Sequence, residues 1–252
     1  MDLFDLTGKK AIVTGAAQGL AHGVAEGLME AGAEVAIIDI SDHTEQAAQE
    51  FSARGFKAHA VRANLGKREE LVEAFNKALG LLGGTIDILV PAAGVQRRHP
   101  SEEFPMEDWD FVLNVNLTAV FQLCQLAARE MIKQGSGKII NFASMLAYFG
   151  GYTVPAYAAS KGGIAQITKA FSNEWASKGI NVNAIAPGYM ATTMNTGILE
   201  DEKRNASITA RIPAGRWGTP DDLKGVVVFL ASHASDYLSG AVIPVDGGYL
   251  GC

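Results

Sequence analysis

The chain has 252 residues, of which 48% are hydrophobic and 19% charged, with a net charge of -6 and no dense run of lysine or arginine. This is the balance of an ordinary enzyme with a large buried core, and it offers no basic footprint for a nucleic acid or membrane partner. The 28 glycines against 8 prolines suit many tight strand-to-helix turns. Two cysteines, Cys124 in an apolar run and Cys252 at the last position, imply no disulfide framework, so a reducing, cytoplasmic setting is expected. The opening "MDLFDLTGKK" is acidic where a signal peptide is basic, and no apolar run is expected to reach membrane-span length.

In chain order, residues 11–13 read as a buried strand ending in "TG", and residues 20–31 have helical apolar spacing that stops at Gly32. A strand at "EVAIID", a helix over 44–53, a strand at "KAHAVRAN" and a helix over 67–79 follow. Next come a strand at "IDILVPAAG", a long helix over 108–133, a strand at "KIINFAS" and a helix over 157–178. The last elements are a strand at "NVNAIAPG", a helix over 220–230 and a strand at "AVIPVDGG". Alternation of this kind predicts an α/β fold: a doubly wound, seven-stranded parallel sheet in a single domain spanning residues 1–252. Residues 189–218 have weak periodicity and follow the sixth strand at the edge where such sheets bind ligands. They read as a substrate lid.

The first strand, turn and helix carry T-G-x-x-x-G-x-A at Thr14, Gly15, Gly19 and Ala21. Gly15 permits the tight turn, and Gly19 lets backbone N–H groups approach a pyrophosphate at the helix N-terminus. Ala21 adds a methyl where glycine is usual. Asp39 ends the second strand 24 residues after Gly15, the place for a carboxylate that binds the adenosine ribose. A carboxylate there repels a 2′-phosphate, and neither Ala16, Ala17 and Gln18 nor Ile40, Ser41 and Asp42 supplies a cation. The expected cofactor is therefore NAD. The competing reading of Asp39 is a solvated strand end or helix cap.

Ser144 ends the fifth strand, and "YAASK" opens the next helix with Tyr157 and Lys161 one turn apart on one face. A free tyrosine, with a pKa of about 10, is a poor base at neutral pH. The lysine cation is expected to lower it, with Ser144 binding the substrate oxygen and Lys161 also holding the nicotinamide ribose.

"TGAAQGLA", "AAG" after the fourth strand, "NVN", the serine ahead of "YAASK", and "NAIAPG" together resemble the short-chain dehydrogenase/reductase family over nearly the whole chain. The resemblance implies a Rossmann-type domain and a homotetramer. It also implies that Asn116 completes a proton relay with Ser144, Tyr157 and Lys161 through a water. The cofactor positions it implies are Gly15, Gln18, Gly19, Leu20, Asp39, Ile40, Asn64, Leu65, Ala92, Ala93, Gly94, Tyr157, Lys161, Pro187, Gly188, Met190 and Thr192. Besides Ala21, two positions depart from the family pattern. Pro91 stands where asparagine is usual and should sit at a strand end, and Asn64 stands where an aspartate usually meets the adenine.

More narrowly, "RRHPSEEFPMEDWDFVLNVNLTAVF" and "RIPAGRWGTPDDLKG" are similar to family members that interconvert a secondary alcohol and a ketone on six-carbon sugar acids. The substrate positions expected are Arg98, Arg97, Ser144, Met145 and Tyr157, with Arg98 favoured for the carboxylate. The competing reading pairs both arginines with Glu102, Glu103 or a neighbouring subunit. Met190, Thr192, Thr193 and Met194 would close the lid over sugar and nicotinamide. The five histidines lack metal-ligand spacing, and no catalytic metal is expected. Two other functions stay open: a reductase of neutral sugars, polyols or cyclic ketones, and a nucleotide-binding regulator with vestigial chemistry.

Overall fold

Strands built from unbroken apolar residues need cover on both faces, and here they have it. The computed structural model describes residues 2–252. Its elements run β1 (Lys10–Thr14), α1 (Gly19–Glu30), β2 (Glu34–Asp39), α2 (Thr44–Ala53), β3 (Ala58–Arg62), α3 (Arg68–Leu81) and β4 (Ile88–Pro91). After these come α4 (Met106–Leu113), α5 (Ala119–Gln134), β5 (Gly137–Phe142), α6 (Pro155–Trp175) and β6 (Ile180–Pro187). The chain closes with α7 (Thr196–Leu199), α8 (Glu202–Thr209), α9 (Asp221–Ala231) and β7 (Val242–Val245). All seven strands pair in parallel in the order β3-β2-β1-β4-β5-β6-β7. The order reverses between β1 and β4, which opens a ligand crevice at the carboxyl ends of the strands.

Alternate strand residues feed two cores, as a period of two requires. Ile12, Ala36, Ile38, Leu89 and Ile139 join the layer that holds α3, α5 and α6. Ala11, Val13, Val35, Ile37, Ile88 and Val90 join the layer that holds α1, α2 and α9. Each fully buried leucine, isoleucine or valine is worth about 1.5–3 kcal/mol. α1 approaches α9 closely because Gly23 and Gly27 lack side chains: a Cβ at Gly23 would lie 2.5 Å from Pro220, and one at Gly27 2.9 Å from Lys224. Ala21, by contrast, fits in the core as it is.

Four features differ from, or sharpen, the expectations. The helical run Met106–Gln134, at 29 residues and with a mean hydropathy of 1.5 over its most apolar stretch, is long and apolar enough to cross a membrane, contrary to the sequence expectation. Its apolar residues Val120, Leu123, Cys124, Ala127 and Met131 are instead buried against the sheet. That run is also not uniformly α-helical, because a π-turn spans Asn114–Thr118. The weakly periodic segment 189–218, read as a substrate lid, contains α7 and α8; α8 buries no residue fully and starts on the Asp201 side chain, so apolar periodicity gave it no signal.

Pro91 is the last residue of β4, in register with Thr14, while the ladder to β5 ends at Leu89–Ile139. The missing N–H therefore falls where that ladder has already stopped. The Thr14 hydroxyl accepts the Ala93 N–H at 3.1 Å and re-ties the two strand ends.

Candidate active site

The carboxyl ends of six strands, β1 to β6, the loops after them and the start of α6 enclose a cavity of about 420 Å³ at that edge of the sheet. Every cofactor position named from the sequence lines it, as do Ser144, Ala63, Val95, Phe111, Val115, Thr193 and Asn195. Gly15 has φ +74° and lies so close to Ala93 that a Cβ would come within 2.7 Å of its Cα. Gly19, at φ +68°, has open space where a Cβ would sit. This bare helix start, facing a cavity, is what a pyrophosphate needs. At the far end, the Asp39 carboxylate accepts N–H bonds from Ala17 and Ser41, both at 3.0 Å.

Sequence spacing did not reveal Arg62. It is in register with Asp39 on β3, bonds the Ile40 carbonyl at 3.3 Å and pairs with Asp42. A cation thus stands beside the Asp39 end of the cavity, held by an acid. Asn64 also turns inward to local work: its side-chain oxygen accepts the Gly66 N–H at 2.9 Å.

Around the reacting position, the strand end and the helix bring Ser144, Tyr157 and Lys161 to the same cavity wall. Ser144 caps the short turn that follows by accepting the Leu146 N–H at 3.2 Å. Lys161 is buried and donates to the Phe142 carbonyl at 2.6 Å, with its nitrogen 5.5 Å from the Tyr157 ring centre. Burial pushes the lysine down to about 8. Burial likewise pushes the Tyr157 phenol above its ordinary value, with the adjacent Ser144 hydroxyl opposing. The expected lowering of the tyrosine by the lysine is therefore not what dominates here. The phenol is held protonated, and the amine is poised close to neutrality.

Asn116 does not line the cavity. Its buried side chain clasps Val95, accepting the N–H at 2.8 Å and donating to the carbonyl at 2.9 Å, and also donates to the Ser160 hydroxyl at 3.2 Å. Ser160 in turn donates to the Tyr157 carbonyl at 2.7 Å. Two residues earlier, Asn114 donates to the Gly66 carbonyl at 2.7 Å. The π-turn thus aims the two asparagines of "NVN" at two different loops of the site, after β3 and after β4. Asn114 and Ser160 lie inside "NVN" and "YAASK", but the sequence reading gave neither a role; only the fold reveals their work.

The substrate positions fare unevenly. Arg97, Arg98 and Met145 are not among the residues lining the cavity. Arg97 is tied to Asp108 at 3.2 Å and lies over the Phe111 ring at 4.6 Å, rather than pairing with Glu102 or Glu103. Met145 is buried in a small cluster with Ile198, Ile212, Trp217 and Tyr249, beneath the segment 189–218. Arg98 is exposed beyond Val95 and bonds the Gln96 side-chain oxygen at 3.2 Å. Of the expected lid residues, Met190, Thr192 and Thr193 line the cavity, and the Met194 side chain lies outside the described residues.

A family model described as Enoyl-(Acyl carrier protein) reductase matches residues 15–250. The 2-dehydro-3-deoxy-D-gluconate 5-dehydrogenase of Escherichia coli (strain K12) is 49% identical over 99% of this chain and 98% of its own length. The chain belongs to the short-chain dehydrogenase/reductase family. It is an NAD(P)-dependent oxidoreductase.

Two solved family structures are similar throughout. A putative 2-deoxy-D-gluconate 3-dehydrogenase from Agrobacterium tumefaciens, with bound NADP, has a TM-score of 0.93 and 44% identity and covers 100% of both chains. A gluconate 5-dehydrogenase from Burkholderia cenocepacia, in complex with NADP and tartrate, has a TM-score of 0.96 and 38% identity over 100% of this chain and 98% of its own.

Proposed function

We propose that this protein interconverts a ketone and a secondary alcohol on a six-carbon sugar acid, the pair being 2,5-diketo-3-deoxygluconate and 2-keto-3-deoxygluconate. The observation that carries the reading is the meeting of Ser144, Tyr157 and Lys161 on one wall of the cavity that Gly15, Gly19 and Asp39 also line, in a chain 49% identical to a 2-dehydro-3-deoxy-D-gluconate 5-dehydrogenase. Gly15, Gly19, Asp39 and Lys161 would hold a nicotinamide dinucleotide, which would supply or take up the hydride when bound. Ser144 holds the substrate oxygen and Tyr157 gives its phenolic proton to that oxygen as the alcohol forms. Lys161, with an amine at about 8, exchanges protons near neutral pH and refills the phenol. Both Asn116 side-chain N–H donors are engaged, by the Val95 carbonyl and the Ser160 hydroxyl, so a water relay through this residue runs by its main chain in this reading. A protonated tyrosine suits reduction of the ketone at neutral pH, and oxidation needs alkali to free the base.

The preferred dinucleotide in this reading is NAD(H). Asp39 presents a carboxylate at the adenosine end, and Arg62, the cation that could answer a 2′-phosphate, is occupied by Asp42. Residues 189–218 act as the lid, with Met190, Thr192, Thr193 and Asn195 facing the cavity. The assembly is a homotetramer, a reading supported by Phe121 and Ile132, which leave 44% and 40% of their surface exposed along the long helical run. Oxidation of gluconate at C5 is the second reading, favoured by the similarity to the tartrate-bound gluconate enzyme.

Tyr157→Phe tests the mechanism. It keeps the ring and removes the proton, so turnover should fall by 10²-fold or more while NADH binding is unchanged. Retained turnover would assign the proton to another group.

A further inference from the structure

We propose that Asn114 is a positioning residue for the cofactor: by holding the loop after β3, it sets the affinity for the adenosine half of the dinucleotide. The inference rests on the dinucleotide reading of the cavity and not on the choice of substrate. β3 lies beside β2, with Arg62 in register with Asp39, and the Asp39 carbonyl accepts the Ala63 N–H at 2.9 Å. The loop that follows therefore borders the Asp39 end of the cavity, where Ala63, Asn64, Leu65 and Gly66 line the wall. Internally it is a small turn. Asn64 accepts the Gly66 N–H on its side chain at 2.9 Å and the Lys67 N–H on its carbonyl at 3.0 Å, and its own N–H donates to Glu70 of α3 at 3.0 Å. Among the described residues, the hydrogen bond that reaches residues 64–66 from beyond this turn and α3 comes from the Asn114 amide, which donates to the Gly66 carbonyl at 2.7 Å.

Both ends of that bond adjoin the cavity. Gly66 lines it, and so do Phe111 and Val115, four residues apart on the helical run that carries Asn114. The approach is close: a Cβ at Gly66 would lie 3.1 Å from the Asn64 side-chain oxygen, 3.4 Å from Val115 and 3.5 Å from the Asn114 side-chain nitrogen. Asn114 opens the π-turn, a departure from α-helical geometry of the kind that recurs at functional sites. The turn lets Asn114 hold the loop after β3 while Asn116 clasps Val95 in the loop after β4. Ordering a loop costs backbone entropy, and a loop already ordered before the ligand arrives spares binding that cost. The Asn114 bond thus pre-orders the wall against which the adenosine half lies. Its effect is confined to that half, since Tyr157 and Lys161 stand at the other end of the cavity.

Calorimetric titration with ADP-ribose decides it, using wild type, Asn114→Ala, Asn114→Leu and Gly66→Ala, with melting temperature as the control on folding. Asn114→Ala should raise the Kd for ADP-ribose about fivefold or more, as loss of a hydrogen bond and of loop order does. Asn114→Leu, similar in volume but without the N–H, should bind no better. At saturating NADH the fluorescence of the bound reduced nicotinamide should match wild type, which a general loosening of the site would not allow. Gly66→Ala crowds the loop from the other side of the bond; it should show the same selective loss, and it carries the test if Asn114→Ala does not fold. A folded Asn114→Ala with a Kd for ADP-ribose within about twofold of wild type would overturn the proposal, and so would a nicotinamide signal that changes along with the Kd. A wild-type protein that binds neither ADP-ribose nor NADH would bring down the dinucleotide reading beneath it.

Discussion

Lys161 is buried, and its amine at about 8 means that the fold disfavours the ammonium. The sign of the effect on stability follows from linkage. Below pH 8 the lysine is charged in both the folded and the unfolded chain, and the full penalty applies. Between pH 8 and about 10.4, the ordinary value for lysine, the unfolded chain holds more protons, so the stability of the native protein rises with pH. The whole swing is roughly 3 kcal/mol at 1.36 kcal/mol per pKa unit. Replacing the lysine by methionine removes the titration but keeps most of the volume. Urea unfolding of wild type and Lys161→Met from pH 7 to 10 should therefore show wild type gaining on the variant above pH 8. Parallel curves would mean that the amine titrates elsewhere.

At the scale of elements, the same helical run serves packing and chemistry. α5 turns Leu123, Ala127 and Met131 to the sheet, while Phe121 remains 44% exposed although its ring reaches Phe171 at 5.6 Å. Half-exposed aromatics along a long helix suit a subunit contact, and Phe121→Glu places a charge there. The variant should change from a tetramer to a smaller species by light scattering, with its far-UV spectrum retained; a tetramer that survives would locate the interface elsewhere. The π-turn just before α5 shows why some of the site was not legible. Asn116 stood out through its motif, but its engagement with Val95, and that of Asn114 with Gly66, depend on a local widening of the helix that 3.6-residue spacing does not encode. The strands were legible because their apolar runs are continuous, and Glu34–Asp39 and Thr44–Ala53 have the bounds read from the sequence. α8 was hidden by its exposure. Arg97 was misread because its partner, Asp108, sits eleven residues away on a helix that only the fold brings back.

Across the whole molecule, the site is assembled from loops that share one edge of the sheet but are braced by distant parts. Thr14 ties β1 to the loop after β4, Asn114 and Asn116 tie the long helical run to two loops, and the Thr153 carbonyl accepts the His99 N–H at 3.1 Å. Thr153 holds φ +62°, a left-handed conformation costly for a β-branched residue, so the loop ahead of α6 is held by its surroundings. The result is a cavity with Asp39 at one end and Tyr157 at the other, bordered by Met190, Thr192, Thr193 and Asn195 of the segment 189–218. This arrangement makes a joint claim about cofactor and substrate: a dinucleotide without a 2′-phosphate and an organic acid. The measurement that tests it most directly is kcat/KM for 2,5-diketo-3-deoxygluconate with NADH and with NADPH, beside a neutral ketose with NADH. The expected result is turnover of the acid with NADH that exceeds NADPH by about tenfold or more and exceeds the neutral ketose by a similar margin. Preference for NADPH would contradict the role given to Asp39, and equal or better turnover of the neutral ketose would contradict the sugar-acid assignment itself.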